Sequence, residues 1–312
     1  MQSALPDALH DHDNGPFTGY FGIPDSTEGS AILGPGVVQW SSLIMTANHS
    51  VSDNVDRESI ILDGETTRLE LSFRRGIAPG FELGVEIPYL WHESGGFDSF
   101  IDNWHNWLGF SGGFRDSRSR GQLEYKYTDG NATQIDYRKN EKGLGDLRLF
   151  SGWRLQDNPE HSMALRFGVK LPTGDSESLL GSGGTDISIG LAGDLRGLFG
   201  VAGLTAHYRA SAIRIGEPDL LADRYRDFVG YFGLGAGYAV TENFELLAQA
   251  AVRTPLYDSD IATLGDSAGT LTLGGNFRVF SNYVIGVGVS EDIKVLSAPD
   301  VAFQLSIKYQ SR

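Results

Sequence analysis

The sequence contains no cysteine, no long hydrophobic run and no excess of basic residues. The absence of cysteine excludes disulfide frameworks, thiol catalysis and cysteine-ligated zinc. No segment reaches the roughly 18 consecutive apolar residues that a membrane-spanning helix requires. A net charge of −15 argues against nucleic acid as a partner, because phosphate backbones bind basic surfaces. Residues 1–15 lack the charged-then-apolar pattern of a signal peptide, so export would require a signal that has already been removed.

Glycine and aromatic residues are plentiful instead. The 312 residues include 41 glycines, 11% aromatics and only 11 prolines, a composition that suits many strands joined by turns. Apolar and polar residues alternate in segments from the first quarter of the chain to its end, as they do on the two faces of a strand. The last segment alternates almost without error, with Val301, Phe303, Leu305, Ile307 and Tyr309 on one face and Ala302, Gln304, Ser306 and Lys308 on the other.

Three features favour a transmembrane β-barrel over a soluble β-sandwich or a lipocalin-like barrel. The alternating runs extend over roughly 9–13 residues, the length that a tilted strand needs to cross a bilayer. Short connections alternate with long ones, the longest near 48–63 and 92–118, as in outer-membrane barrels. Aromatic residues also lie near the short-turn end, where a girdle is expected, namely Phe73, Phe81, Tyr238, Phe244, Phe277, Tyr283 and Tyr309.

The segments predict an all-β, antiparallel barrel of about fourteen strands over residues 36–312, with twelve as the fallback. The two segments around Asp129–Gly130 are the least secure, because a hairpin there could lie outside the membrane. An even number of strands puts both termini on the periplasmic side of a bacterial outer membrane. The last strand is then expected to close the barrel by pairing with the first near Val38–Ile44, and to present the pattern that the barrel assembly machinery reads.

Two segments do not have the pattern of strands. Residues 1–35 are rich in glycine, proline and aspartate with a few aromatics, and are interpreted either as a periplasmic tail or as a plug folded into the lumen. Residues 95–112 lie in the longest loop, near 92–118, and are predicted to hold an extracellular loop helix, because the 97–110 stretch has the i, i+3, i+4, i+7 spacing of an amphipathic helix. Its predicted apolar and gating face comprises Phe97, Phe100, Ile101, Trp104, His105, Trp107 and Leu108.

Three motifs carry a resemblance to a known family. They are GGFDSFIDNWHNWLGF (95–110), GLGDLRLFSGWRL (143–155) and VKLPTGDSESLLGSGGTDISIGLAGDL (169–195). Together they resemble a family of small proteobacterial outer-membrane barrels of uncharacterised function, over most of the chain from about residue 15 onward. The shorter KLPTG element is similar to one in barrel proteins of phenol-degradation operons. The resemblance implies an outer-membrane barrel, with a channel for small organic solutes as one role, and carries over no catalytic residues.

The face opposite the apolar one is strongly charged and is predicted to line the lumen. Charges of this number cannot face lipid, where a midplane Arg or Lys costs roughly 2–4 kcal/mol. They either form ladders that fill a closed lumen or line a water-filled, selective path. The predicted lumen-lining and selectivity residues are Arg68, Arg74, Glu82, Glu86, Arg148, Arg154, Arg166, Lys170, Asp186, Asp194, His207, Arg209, Glu245, Arg253 and Arg278.

These observations predict a monomeric outer-membrane channel or passive transporter for an unidentified small solute, narrowed by the 97–110 helix. That helix could instead anchor in the outer leaflet through its two tryptophans. The expected surroundings are outer-membrane lipid and lipopolysaccharide. A closed structural barrel is the first alternative, and an outer-membrane hydrolase using His92 or His105 is the second. No nucleophile motif accompanies either histidine, so no enzyme is expected.

No cofactor and no dedicated metal site are expected either. His10, Asp11, His12 and Asp13 could hold a divalent ion only loosely, as could the acidic stretch from Asp53 to Glu65. Neither spacing matches an EF-hand calcium loop or a histidine zinc helix.

Overall fold

The computed structural model describes residues 8–96, 123–130, 132–293 and 301–311. The predicted 97–110 helix and its seven gating residues lie outside the described residues. The regular structure of the described part is almost entirely antiparallel β-sheet, with one short α-helix at Ala262–Gly265 and one 3-10 turn at Leu198–Gly200. None of its helices is long and apolar enough to cross a membrane.

Twelve strands close into a barrel, so the expectation of fourteen is wrong and the fallback of twelve is confirmed. Consecutive strands pair antiparallel, and the final strand pairs with the first from Gln39↔Gln310 to Asn48↔Val301, which confirms the predicted closure. The barrel strands are β1 (Val38–Val55), β2 (Glu58–Ala78), β3 (Phe81–Glu93), β7 (Arg148–Asp157), β8 (His161–Lys170), β9 (Asp186–Arg196), β10 (Leu204–Arg214), β11 (Phe228–Thr241), β12 (Phe244–Arg253), β13 (Ala268–Arg278), β14 (Tyr283–Asp292) and β15 (Val301–Gln310).

Three further strands lie outside the barrel wall, namely β4 (Glu124–Asp129), β5 (Ala132–Tyr137) and β6 (Glu141–Leu144). β4 pairs with residues 58–63 of β2 and with β5, while β6 pairs with residues 89–92 of β3. β4 and β5 account for the difference between twelve strands and fourteen. The two segments around Asp129–Gly130 therefore form a hairpin that extends the sheet beyond the barrel wall. Alternation in these segments is real, but it does not reveal whether the partner strand belongs to the barrel.

The connection expected as a loop at 48–63 is also strand. β1 and β2 continue in unbroken register out to Val55↔Glu58, so they project past the barrel as a long hairpin. The sequence of this stretch is too polar to predict a strand. In the structure, however, Glu58 binds Arg224 and accepts hydrogen bonds from Tyr127 and Ser259, which belong to other parts of the chain. Tertiary contacts therefore hold the hairpin where local propensity does not.

The two faces of the barrel wall differ as the alternation predicts. Apolar residues such as Ile187 (53% exposed) and Leu305 (45% exposed) face outward. The charged residues that alternate with such apolar residues along the wall strands are buried inside the barrel. An apolar surface of this extent is stable in lipid and not in water. The aromatic girdle forms in register at the short-turn end: Phe244 stacks on Phe277 with ring centroids 4.5 Å apart, and Tyr283 contacts Tyr309 at 4.9 Å.

Candidate functional site: the filled lumen

The N-terminal segment lies inside the barrel. Residues 33 to 22 run from the short-turn end towards the long-loop end, the chain reverses in a turn at Gly15–Gly19, and residues 13 to 9 return to the middle of the barrel. The segment therefore passes through the lumen twice. Its hydrogen bonds reach ten of the twelve strands of the wall, so the segment and the wall form one network inside the lumen.

Four arginines of the wall donate hydrogen bonds to carbonyl oxygens of the segment. Arg209 reaches the carbonyls of Asp25 (2.6 Å) and Glu28 (2.9 Å). Arg166 donates to the carbonyls of Gly29 (2.5 Å) and Ala31 (3.1 Å). Arg74 and Arg154 add one bond each, to Ala31 and Ile32. Since these bonds go to main-chain atoms, they hold the path of the segment and place few demands on its side chains.

Acidic residues of the wall accept the matching hydrogen bonds from main-chain amides. Leu33 donates to Glu82 and Gly22 donates to Asp186, both at 2.8 Å, while Ser30 donates to Asp194 through its amide and its hydroxyl. Gly22 is needed at its position, because a Cβ there would lie 3.0 Å from Asp186 Cβ and 3.1 Å from Lys170 Cβ. The backbone of the segment thus touches the wall with no side chain between.

Two glutamines of the wall clamp successive peptides near the inner end of the segment. Gln249 Oε1 accepts from Leu9 N (2.9 Å) and its Nε2 donates to Leu9 O (2.8 Å). Gln304 does the same for His10, at 3.0 and 2.7 Å. A side-chain amide carries one donor group and one acceptor, so each glutamine binds a residue as a neighbouring strand would.

Replacing either glutamine should release this end of the segment. In Gln304→Ala the buried amide and carbonyl of His10 lose their partners, and each unpaired buried group costs about 1–3 kcal/mol. We expect amide hydrogen exchange in the 8–14 peptide to accelerate at least about tenfold, because 1.4 kcal/mol corresponds to a factor of ten. Exchange measured by mass spectrometry checks this. Gln310→Ala, at the exposed end of the same strand, is the matched control and should leave that peptide unchanged.

Glu28 brings a negative charge to the middle of the lumen. Its carboxylate lies 2.5 Å from Arg148 Nη1 and 3.4 Å from Arg209 Nη2, and Arg148 also contacts Glu86 at 3.0 Å. Burial opposes ionisation of Glu28, but the arginines outweigh it and lower its pKa to about 2. Asp13 plays the same part against Arg253, with Oδ2 2.8 Å from Nη2.

A second cluster joins both arms of the segment to β2. His10 Nδ1 lies 3.2 Å from Asp25 Oδ1, and His12 Nε2 lies 3.5 Å from Asp25 Oδ2 and 3.3 Å from Glu70 Oε2. Burial would lower the pKa of His12, but the carboxylates of Glu70 and Asp25 outweigh it and raise that pKa to about 9. Burial likewise disfavours the charge on Asp25, yet His10 and His12 hold its pKa well below the usual range.

The long-loop end of the lumen is closed by apolar side chains. Phe17, Tyr20 and Phe21 of the segment pack in one buried cluster with residues of the wall and of the outer loops. Tyr257 donates a hydrogen bond to the carbonyl of Phe17 (2.7 Å). Between this cluster and the charged middle lies a cavity of about 70 Å³, lined in part by Asp11, His12 and Arg148. A cavity of that size holds several waters but is far below the roughly 300–1,000 Å³ of a ligand pocket.

Most of the predicted lumen residues are therefore brought together, though with the segment as their main partner. Lys170 binds Asp186 (3.1 Å) and Asp146 (3.0 Å), while Arg68 binds Glu70 (3.1 Å). Arg278 lies apart, donating to the carbonyl of Glu242 at a short turn. The charged residues of the segment that complete the network, above all Asp25 and Glu28, were not anticipated. No local pattern marks Glu28, because its partners Arg148 and Arg209 lie 120 and 181 residues away. The side-chain partners of Asp25 are nearer, at His10 and His12, but they lie in a stretch without strand or helix periodicity.

Three comparisons place the chain. A family model described as "Protein of unknown function (DUF3187)" matches residues 9–311. No curated protein matches the sequence. The solved COG4313 outer membrane channel from Pseudomonas putida F1 has a similar fold at 13% identity, with a TM-score of 0.56 over 89% of this chain and 96% of that one. The Ralstonia pickettii toluene transporter TbuX aligns more loosely, at 11% identity and a TM-score of 0.39 over 90% of each chain.

Proposed function

Because the chain belongs to the DUF3187 family, whose function is unknown, we propose a role from its geometry: an outer-membrane channel for small solutes whose lumen is narrowed by its own N-terminal segment. The observation that carries the proposal is a closed barrel with an apolar exterior and a charged, water-compatible interior. The COG4313 channel has the same type of barrel, which supports this architecture. The absence of an enzyme activity is part of the proposal.

In this proposal the short turns and both termini face the periplasm, and the long loops face outward among lipopolysaccharide. The strand lengths and the girdle of aromatics at the short-turn end support that orientation. The barrel acts as a monomer, since each of the twelve wall strands already pairs with two neighbours, and the edges of the sheet lie in the short strands β5 and β6 outside the wall. Assembly would follow the usual route through the barrel assembly machinery, starting from the strand Val301–Gln310.

The N-terminal segment serves as a plug in this proposal. The wall is shaped to receive it: a Cβ added at Gly274 would lie 2.8 Å from Leu9 Cδ1, and one added at Gly152 would lie 2.6 Å from Ile32 Cδ1. Glycine at these inward positions leaves the room that the segment occupies. The predicted lumen residues that contact the segment then have two roles, anchoring the plug when it is in place and facing the solute when it moves. The 97–110 helix is proposed as an outer constriction.

Two alternatives have different support. A closed structural barrel with no conductance is favoured by the tight filling of the lumen. A hydrolase is not favoured, because His92 and Thr66 are buried and out of reach of a substrate. The Nδ1 atom of His92 lies 3.1 Å from Thr66 Oγ1, and its Nε2 atom lies 2.8 Å from the carbonyl oxygen of Leu179. A catalytic histidine needs one ring nitrogen facing a nucleophile and access to substrate. His105 lies outside the described residues.

Planar-bilayer recording of the purified protein tests the proposal. We expect discrete conductance steps that are small for a twelve-stranded barrel, because the segment leaves little continuous water in the lumen. Two deletions, of residues 8–35 and of residues 95–112, accompany the full chain. Stable insertion without conductance in all three proteins would contradict the channel and support the structural barrel. Folding of each protein is checked by heat-modifiable migration on gels.

A further inference from the structure

The histidine cluster inside the lumen has the composition of a metal site. Two imidazoles and two carboxylates converge there, from His10 and His12 on one arm of the segment, Asp25 on the other arm and Glu70 on β2. Imidazole with carboxylate is a donor set that zinc and the neighbouring divalent transition metals prefer, whereas calcium and magnesium take oxygen ligands in larger number. His10 and His12 are two residues apart, and their rings lie on the same side, stacked with centroids 6.0 Å apart.

The distances agree with a shared ion. Ligand atoms of His10, His12 and Asp25 all lie within 4.8 Å of one another. Zinc binds nitrogen and oxygen at about 2.0–2.2 Å, so neighbouring ligand atoms around it are separated by roughly 3.0–3.6 Å. The three nitrogen-to-oxygen separations in the cluster are 3.2, 3.3 and 3.5 Å. An ion could therefore be accommodated with small movements of these side chains.

A second observation points to a ligand. His10 is only 7% exposed, yet its Nδ1 atom forms no hydrogen bond among the described residues, and the same holds for His12 Nε2. Both nitrogen atoms lie within ion-pair distance of carboxylate oxygens, but the angles of these contacts are not those of a hydrogen bond. Buried polar atoms almost always have a partner. These two nitrogens instead face carboxylate oxygens at 3.2–3.5 Å without hydrogen-bond geometry, which is the arrangement expected of groups that share an ion.

The surrounding charge also suits a cation. Asp25 and Glu70 are 2% and 3% exposed, and Arg68, with Nε 3.1 Å from Glu70, is the cation held against them from β2. Metal ligation requires both imidazoles to be neutral, and two carboxylates against one guanidinium then leave a negative charge that a divalent ion would offset; without an ion, protonated imidazoles pair with the carboxylates instead. From these observations we infer that the four side chains form a zinc-class binding site that ties both arms of the N-terminal segment to the barrel wall. Sequence spacing alone predicts no such site.

The ion has a structural consequence. Its ligands come from three separate stretches of chain, residues 10–12, residue 25 and residue 70, so binding cross-links the plug to β2 and stabilises the closed lumen. The binding site stands on its own geometry, while its effect on conductance rests on the proposed channel function. Adding Zn²⁺ is then expected to lower the conductance, and removing it with a chelator to raise it.

Metal binding is measured on the full chain, purified in detergent without a polyhistidine tag. We expect one equivalent of Zn²⁺ by titration calorimetry, and a visible Co²⁺ spectrum of a site with nitrogen and oxygen ligands. His10→Gln and His12→Gln should each weaken Zn²⁺ binding by at least about 100-fold, since even outer-shell changes cost 10- to 100-fold. His161→Gln is the matched control, because this histidine contacts Tyr208 away from the cluster, and it should bind as the wild type does.

The outcomes separate the two proposals. If the wild type binds neither Zn²⁺ nor Co²⁺, or if a His10→Gln/His12→Gln variant binds as tightly as the wild type, the site is refuted whatever the conductance. If Zn²⁺ binds as described and no protein conducts, the channel proposal fails and the site stands. Should a histidine variant not fold, as judged by heat-modifiable migration, Asp25→Asn and the wild-type Co²⁺ spectrum decide the question.

Discussion

Deletion of residues 8–35 should raise the single-channel conductance by about an order of magnitude or more, because water replaces protein along the length of a twelve-stranded lumen. In the intact chain the segment fills the charged middle of the barrel and closes its long-loop end with Phe17, Tyr20 and Phe21. The wall residues it leaves behind become hydrated when it is removed. Their burial cost therefore disappears together with their partners, and the barrel is expected to remain folded.

The measurement is the distribution of conductance steps in planar bilayers, at one salt concentration and voltage. Deletion of residues 95–112 is recorded in parallel, and its effect reports on the predicted loop constriction separately. Glu28→Gln offers a milder change, since it removes the charge held by Arg148 and Arg209 without shortening the chain. It should give more frequent opening at an intermediate level. A deletion variant that folds and conducts no more than the full chain would show that the segment is not the barrier.

Glu82→Gln should cause the largest loss of stability from a single change. The Glu82 carboxylate is fully buried, with Arg74 and Arg166 each 2.5 Å from Oε1, and it also accepts from the amide of Leu33 at 2.8 Å. Removing one partner from a buried ion pair costs about 3–5 kcal/mol, because the remaining charge is left uncompensated. Here two guanidinium groups lose their counter-charge together, close to the short-turn end where the segment enters the barrel.

The apparent melting temperature in detergent, followed by heat-modifiable migration, should fall by several degrees in Glu82→Gln. Proteolysis should also reach the N-terminal segment sooner. Glu177→Gln removes a carboxylate from an exposed loop and serves as the control. Exposed charges contribute little to stability, so its transition should match that of the wild type. Equal transitions for both variants would mean that water, and not Glu82, compensates the two arginines.

Several features of the fold are encoded locally and were predicted. Period-two alternation from Val301 to Tyr309 assigns one face to lipid and the other to the lumen, and the structure pairs this strand with β1 as expected. The barrel class follows from strand length and from the girdle of aromatics. The number of strands does not follow from the sequence pattern, because Tyr125 and Tyr127 alternate with polar residues as barrel strands do. The partners of β4 are nevertheless β5 and the projecting part of β2.

The residues of the candidate site were likewise predicted only in part. The charged residues of the wall were predicted, because alternation and the cost of charge in lipid direct them inward. Their partners were not, since Gln249 meets Leu9 across 240 residues and Gln304 meets His10 across 294.

By itself, then, the sequence determined a lipid-facing surface, a charged interior and a chain that closes on its own first strand. These are consequences of residue order within single strands, where side chains alternate by covalent geometry. Only the tertiary structure decided that twelve strands form the wall, that the N-terminal segment fills the lumen, and that His10, His12, Asp25 and Glu70 meet. Such contacts join distant stretches of chain through main-chain carbonyls and single side chains, and they leave no periodic trace in the sequence.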